Sequence, residues 1–118
     1  MILYLDTSAF VPLLVTEPSS PICRRLWDLA DAIATSTLTY VETAAALAQA
    51  QRLGRLSDAQ LDDRLGQLEA RWRQMEKIPA DELVIHTAAT LSREHGLRGY
   101  DAVHCASASM LNDPSLVA

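Results

Sequence analysis

An apolar run that ends abruptly at an acid constrains this chain more than any other feature: Ile2-Leu3-Tyr4-Leu5, followed at once by Asp6-Thr7-Ser8. Large side chains without polar alternation predict a strand buried on both faces, as in the parallel sheets of α/β proteins. Asp6 then falls at the carboxyl end of that strand. Ligands bind along this edge in open parallel sheets, so a single acid there is a candidate for chemistry. The same Asp-Thr-Ser also suits an Asx turn or a helix N-cap, and for Asp6 taken alone that reading comes first.

Beyond it, strand and helix signals alternate. Ser8 to about Val15 predicts a short first helix with Pro12 tolerated near its start. After the break at Thr16-Glu17-Pro18-Ser19-Ser20-Pro21, Cys23, Leu26, Trp27 and Ala30 recur at helical spacing, with Arg24 and Arg25 turned away. Asp31 to Ser36 is small and partly β-branched, which reads as a second strand ending in a Thr/Ser cluster. A third helix is expected from about Thr37 to Leu53, stopped by Gly54. Glu42 lies in its first turn, where Thr39-x-x-Glu42 also matches a capping box.

Ser57-x-x-Gln60 opens a fourth helix in the same manner, and Leu61, Leu65, Leu68, Trp72 and Met75 form its apolar stripe, either core or interface. Ile78-Pro79 fits a very short edge strand. Asp81 caps a fifth helix that runs to His95 and closes at Gly96. Gly99 then permits a tight entry into a sixth helix, with Asp101 in its first turn and His104 one turn later on the same side. Asp101 there would also complement the helix dipole. Asn112-Asp113-Pro114 ends that helix, and Ser115 to Ala118 opens a further strand. The expectation is a single α/β domain over residues 1–118: three layers, with a parallel sheet of about four to five short strands flanked by helices. The last strand is expected to be incomplete.

A chain of 118 residues that is 49% hydrophobic can bury a core of its own. No apolar stretch reaches membrane-spanning length, and Asp6 interrupts any signal-peptide core starting at Met1, which predicts a cytoplasmic protein without a membrane partner. Cys23 and Cys105 are too few for a disulfide framework and lack zinc spacing, so both are expected to be buried free thiols. A net charge of −5 argues against broad adhesion to nucleic acid, though not against a nuclease whose acids are offset by cations.

Right-handed crossovers between parallel strands bring all strand carboxyl ends to one rim, and Asp6, Glu42 and Asp101 all fall at such junctions. Each has a capping explanation, but three convergent acids say more than one. Carboxylates crowded together repel unless a counterion joins them, and oxygen-only ligation suits Mg²⁺ or Mn²⁺ rather than zinc. Arg98 borders the same rim, either as a phosphate contact or as an ordinary surface ion-pair partner. His104, inside an apolar helix, reads more readily as a packed structural histidine than as an acid or base.

Three blocks carry a family resemblance: Ile2-Leu3-Tyr4-Leu5-Asp6-Thr7-Ser8-Ala9, Thr39-Tyr40-Val41-Glu42-Thr43-Ala44-Ala45-Ala46, and Leu97 through Ala108 with Gly99-Tyr100-Asp101-Ala102-Val103-His104 at its centre. In this order they resemble the signature blocks of PIN-domain proteins, specifically the VapC-type toxins of bacterial type II toxin–antitoxin pairs. The resemblance implies a Mg²⁺-dependent ribonuclease with Mn²⁺ as a substitute, inhibited by a small VapB-like antitoxin. It also implies a homodimer, a toxin–antitoxin hetero-oligomer, and contact with operator DNA only through the antitoxin. Asp6, Glu42 and Asp101 match the acidic metal positions, and Ser8 matches a hydroxyl near them. PIN domains commonly carry a further acid at the end of the strand after the Asp101 helix. This chain finishes inside that strand, and Asp113 comes too early to take the role.

The expected function is hydrolysis of RNA phosphodiesters by metal-activated water. The alternative is a weak or inactive PIN-like module that binds RNA or an antitoxin without cutting. Trp27, Trp72 and the leucine stripe of the fourth helix offer apolar surface for an antitoxin or a second copy, or else ordinary core. Receiver domains and aspartyl phosphatases fit poorly, because the only lysine, Lys77, is expected inside or just after a helix and Ser8 stands where a phosphatase would want a second acid.

Overall fold

The computed structural model describes residues 1–112. Strand β1 (Ile2–Tyr4) leads through Asp6 into a one-turn helix, α1 (Thr7–Phe10), continued by a 3₁₀ turn over Val11–Leu13. There follow α2 (Ser20–Leu29), β2 (Ala32–Ser36), α3 (Leu38–Arg52), α4 (Asp58–Trp72), β3 (Glu76–Ile78), α5 (Glu82–His95) and α6 (Gly99–Ser109), with a last 3₁₀ turn at Met110–Asn112. The expected strand over 115–118 and the position of Asp113 lie outside the described residues.

The three strands among the described residues form one parallel sheet in the order β1-β2-β3, with Leu3 opposite Ile33 and Thr35 opposite Lys77. Parallel pairing demands crossovers, which α1 with α2 supply between β1 and β2, and α3 with α4 between β2 and β3. Alternate residues of a strand face opposite sides of the sheet, and β2 shows the consequence. Ile33 joins a core with Phe10, Leu13, Cys23, Leu47, Leu68 and Met75, whereas its neighbour Ala34 joins Ile78, Val84, Ala88, Val103 and Ala106 on the other side. The layers are therefore helix, sheet, helix, with β2 in the middle.

Local chemistry sets the helix ends as the residue pattern predicts. Ser57 and Gln60 form a reciprocal capping box at α4, with Gln60 N–H donating to Ser57 Oγ at 3.1 Å and Ser57 N–H donating to Gln60 Oε1 at 2.8 Å. Asp81 caps α5 by accepting from the Val84 N–H at 3.0 Å, and Gly96 ends it in the left-handed region at φ 66°.

The stripe of α4 resolves to core. Leu68 and Met75 are buried, and Leu61, Leu65 and Trp72 pack against the same cluster. Trp72 meets Tyr40 edge-on with centroids 5.3 Å apart, and Trp27 lies under Arg71 at 4.8 Å. Leu61, Leu65 and Trp72 keep part of their surface open to solvent. The expectation for the cysteines is also corrected in half: Cys23 is buried, but Cys105 is an exposed free thiol on the outer side of α6. Among the described residues no helix is long and apolar enough to cross a membrane.

Candidate active site

The carboxyl ends of β1 and β2 and the start of α6 open on one cleft of about 450 Å³, lined by Asp6, Thr7, Ser8, Val11, Glu17, Glu42, Asp101 and His104. The three acids singled out from the sequence thus share a cavity, joined by Glu17. No lysine or arginine lines it. A larger cavity of about 830 Å³ lies elsewhere, running from Met1 along the sheet to Met110 and Leu111, and holds none of these acids.

Asp6 both caps α1 and lines the cleft. Its backbone is extended, and its Oδ1 caps α1 by accepting from the Ala9 N–H at 3.0 Å and from the Ser8 hydroxyl at 2.7 Å. The Ser8 hydroxyl therefore orients Asp6 directly. The second carboxylate oxygen carries no hydrogen bond among the described residues.

Glu42 departs from its capping explanation. A Thr39 cap would start the helix at Tyr40, but the helix begins at Leu38 with Thr37 at its N-cap, so Glu42 lies beyond the first turn. The Thr39 hydroxyl is buried and accepts from Thr35 at 2.7 Å, leaving no capping box. The Glu42 side chain turns into the cleft, where Oε1 accepts from the Thr7 hydroxyl at 2.7 Å and meets His104 Nε2 at 2.9 Å.

Asp101 sits in the first turn of α6, and its Oδ2 accepts from Arg98 Nε at 3.1 Å. Both are solvent-facing, with the arginine side chain 89% and the aspartate 51% exposed, so the pair itself stabilises little. Arg98 is thus the ion partner of a site acid at the outer edge of the cleft.

His104 is buried, and its Nδ1 lies 2.9 Å from the Tyr4 hydroxyl. Burial, with the charges of Asp6 and Glu42 adding to it, pushes the Tyr4 phenol up to about 12, so the hydroxyl keeps its proton. Sequence reasoning missed Thr7 and Glu17 and placed His104 in the core. Thr7 could have been found beside Asp6 in the strand-end triplet. Glu17 had no local signal, because it reaches the cleft from a proline-bounded loop.

The donor chemistry fits a hard divalent cation. Both histidine nitrogens are engaged by Tyr4 and Glu42, and no cysteine lines the cleft, which leaves carboxylate and hydroxyl oxygens as the available ligands. Convergence is partial: among the described residues no three His, Cys, Asp or Glu side chains are gathered closely enough to hold a metal ion. Each acid is drawn toward a protein partner of its own, as mutually repelling carboxylates are expected to be.

Comparison with known proteins follows the same lines. The family described as PIN domain matches residues 3–117. Two relatives from Mycobacterium tuberculosis, Ribonuclease VapC45 and Ribonuclease VapC49, are each 43% identical over 116 residues, spanning 98% of this chain and 81% of the relative. Among solved structures, a toxin–antitoxin complex from Klebsiella pneumoniae superposes with a TM-score of 0.65 at 16% identity, covering 92% of this chain and 78% of that one, a likeness of fold.

Proposed function

The chain belongs to the PIN-domain family, and from that premise we propose that it is the ribonuclease toxin of a type II toxin–antitoxin pair, of the VapC type, hydrolysing RNA phosphodiesters at the acidic cleft. The observation that carries this reading is the lining of that cleft: Asp6, Glu17, Glu42 and Asp101 together, at the carboxyl edge of a parallel sheet, with no lysine or arginine among the lining residues. Such a cleft repels a phosphate backbone unless cations intervene. The 43% identity to the two VapC ribonucleases supports the same reaction.

Asp6, Glu42 and Asp101 would hold Mg²⁺ or Mn²⁺. The bound cation supplies Lewis-acid chemistry, offsetting phosphate charge and acidifying water. The chain's own residues prepare the ligands. Ser8 fixes one oxygen of Asp6 through its hydroxyl, and α1 fixes the same oxygen through the Ala9 amide. Thr7 and His104 hold one oxygen of Glu42. Arg98, on the rim beside Asp101, is available to a phosphate of the incoming strand once the acid turns inward. A VapB-like antitoxin would silence the site in a hetero-oligomer with a toxin homodimer, and operator DNA would be met only through the antitoxin. Residues 1–118 would act as one domain.

A second reading draws on the incomplete convergence of the acids: a PIN-like module that binds RNA or antitoxin without cutting. Incubation with a mixed panel of structured RNAs in Mg²⁺ or Mn²⁺ separates the two. The nuclease reading predicts new RNA termini that disappear in Asp101→Asn. Retention of intact RNA by both proteins would favour the binding module.

A further inference from the structure

His104 is a buried polar group lining the cleft, 8% exposed on a helix face shared with Ala102, Val103, Ala106 and Ser107. A polar ring in such a place is costly unless both nitrogens are satisfied. They are. The Tyr4 hydroxyl lies 2.9 Å from Nδ1, while Glu42 Oε1 lies 2.9 Å and Thr7 Oγ1 3.4 Å from Nε2. These three partners come from three different elements, β1, α3 and α1, and meet on α6.

The donor and acceptor roles follow from the partners. A carboxylate only accepts, so the Glu42 contact requires a proton on Nε2. In the neutral ring the other nitrogen is then an acceptor, which the Tyr4 hydroxyl serves as donor. One direction of donation runs through the group, from Tyr4 to His104 to Glu42. Thr7 donates to the same carboxylate oxygen at 2.7 Å. Oε1 of Glu42 is thereby held from two sides, while Oε2 carries no hydrogen bond among the described residues and is left to the cleft that Glu42 lines.

We propose that His104 is a positioning residue for Glu42, and that Tyr4 fixes its ring, so that one carboxylate oxygen is clamped to the protein and the other is presented to the cation. The proposal rests on the nuclease reading for the identity of the cation and the reaction, but not for the arrangement itself. Partners that orient a metal-ligating group typically matter about 10- to 100-fold in affinity or activity when removed.

Three variants test it. Tyr4→Phe deletes one hydroxyl and nothing else, His104→Gln keeps an N–H donor in the same region, and His104→Leu fills the space without one. Mn²⁺ affinity by calorimetry and kcat and KM on a cleaved RNA are read for each, with thermal unfolding as the check on folding. The expected result for His104→Leu is a loss of about 10- to 100-fold in Mn²⁺ affinity and in kcat with KM unchanged. His104→Gln recovers most of it, and Tyr4→Phe shows a smaller loss in the same two quantities. Folded His104→Leu and Tyr4→Phe proteins with wild-type affinity and kcat would overturn the proposal, and if His104→Leu does not fold, Tyr4→Phe decides. Long-range ¹H–¹⁵N correlation spectra of the wild-type ring need neither metal nor RNA. A proton on Nε2 supports the arrangement and a proton on Nδ1 alone overturns it, even if the chain were to bind no Mn²⁺ and cut no RNA, which would sink the nuclease reading separately.

Discussion

Asp6 places two demands on one carboxylate, and the two can be separated by substitution. Asparagine caps a helix about as well as aspartate, whereas alanine does not. Asp6→Asn should therefore keep the bond to the Ala9 amide and leave stability near that of the wild type, while abolishing RNA cleavage. Asp6→Ala should lose both, at a cost of about 1 kcal/mol in urea unfolding. Equal destabilisation by the two substitutions would mean that the charge, not the cap, holds the turn. Tyr4 makes a second prediction at this scale. Its phenol ionises near 10.0 when unfolded and at about 12 in the folded chain, chiefly because it is buried. The unfolded state thus releases a proton that the folded state retains. Tyr4's contribution to stability is fully present below the lower value and is lost as pH rises through the higher one. Urea unfolding between those two values should show a steeper loss in the wild type than in Tyr4→Phe, and parallel curves would contradict the burial of this hydroxyl. The same residues show where sequence reasoning reaches its limit. Asp6 was legible because it interrupts an apolar run. His104 reads as structural because spacing reveals a buried face but not the Tyr4 hydroxyl that crosses to it from β1, a hundred positions away.

At the level of elements, the end of β1 with α1 supplies Asp6, Thr7 and Ser8 to the site, α3 supplies Glu42, and α6 supplies Asp101 and His104. The residue pattern foretells the existence and near-correct bounds of α3 and α6, since caps, glycine stops and apolar spacing are local signals. It misjudges Glu42 because a capping box depends on where the first turn begins: the helix starts at Leu38, ahead of Thr39, so Thr39 lies inside the first turn and the Glu42 side chain is free for the cleft. The residue pattern leaves the stripe of α4 open between core and interface for a related reason: periodicity identifies an apolar face but not its occupant. The structure gives it to the core, with Leu68 fully buried. Leu68→Ala should then destabilise the isolated chain by about 2–5 kcal/mol in urea, as cavities of this size do. A loss of antitoxin binding without a loss of stability would return the stripe to an interface role.

For the whole molecule, a net charge of −5 and a cleft lined by Asp6, Glu17, Glu42 and Asp101 point the same way. A polyanionic substrate gains nothing from this surface until cations offset it. A ligand that binds only the folded state raises its stability, by about 2.7 kcal/mol at a hundred times the dissociation constant. Mn²⁺ should accordingly raise the wild-type melting temperature and leave that of Asp6→Asn unmoved, whereas an equal rise in both would place the ion elsewhere. The topology that gathers these acids was readable from alternating strand and helix signals, but the loop that brings Glu17 to them was not.

The most direct measurement is RNA cleavage by protein stripped with EDTA and then resupplied with Mg²⁺ or Mn²⁺, run beside Glu42→Gln and Asp101→Asn. Cleavage that returns with the metal in the wild type and in neither variant is the predicted result. Cleavage that persists in EDTA, or that survives in both variants, would contradict a metal-dependent nuclease built on this cleft.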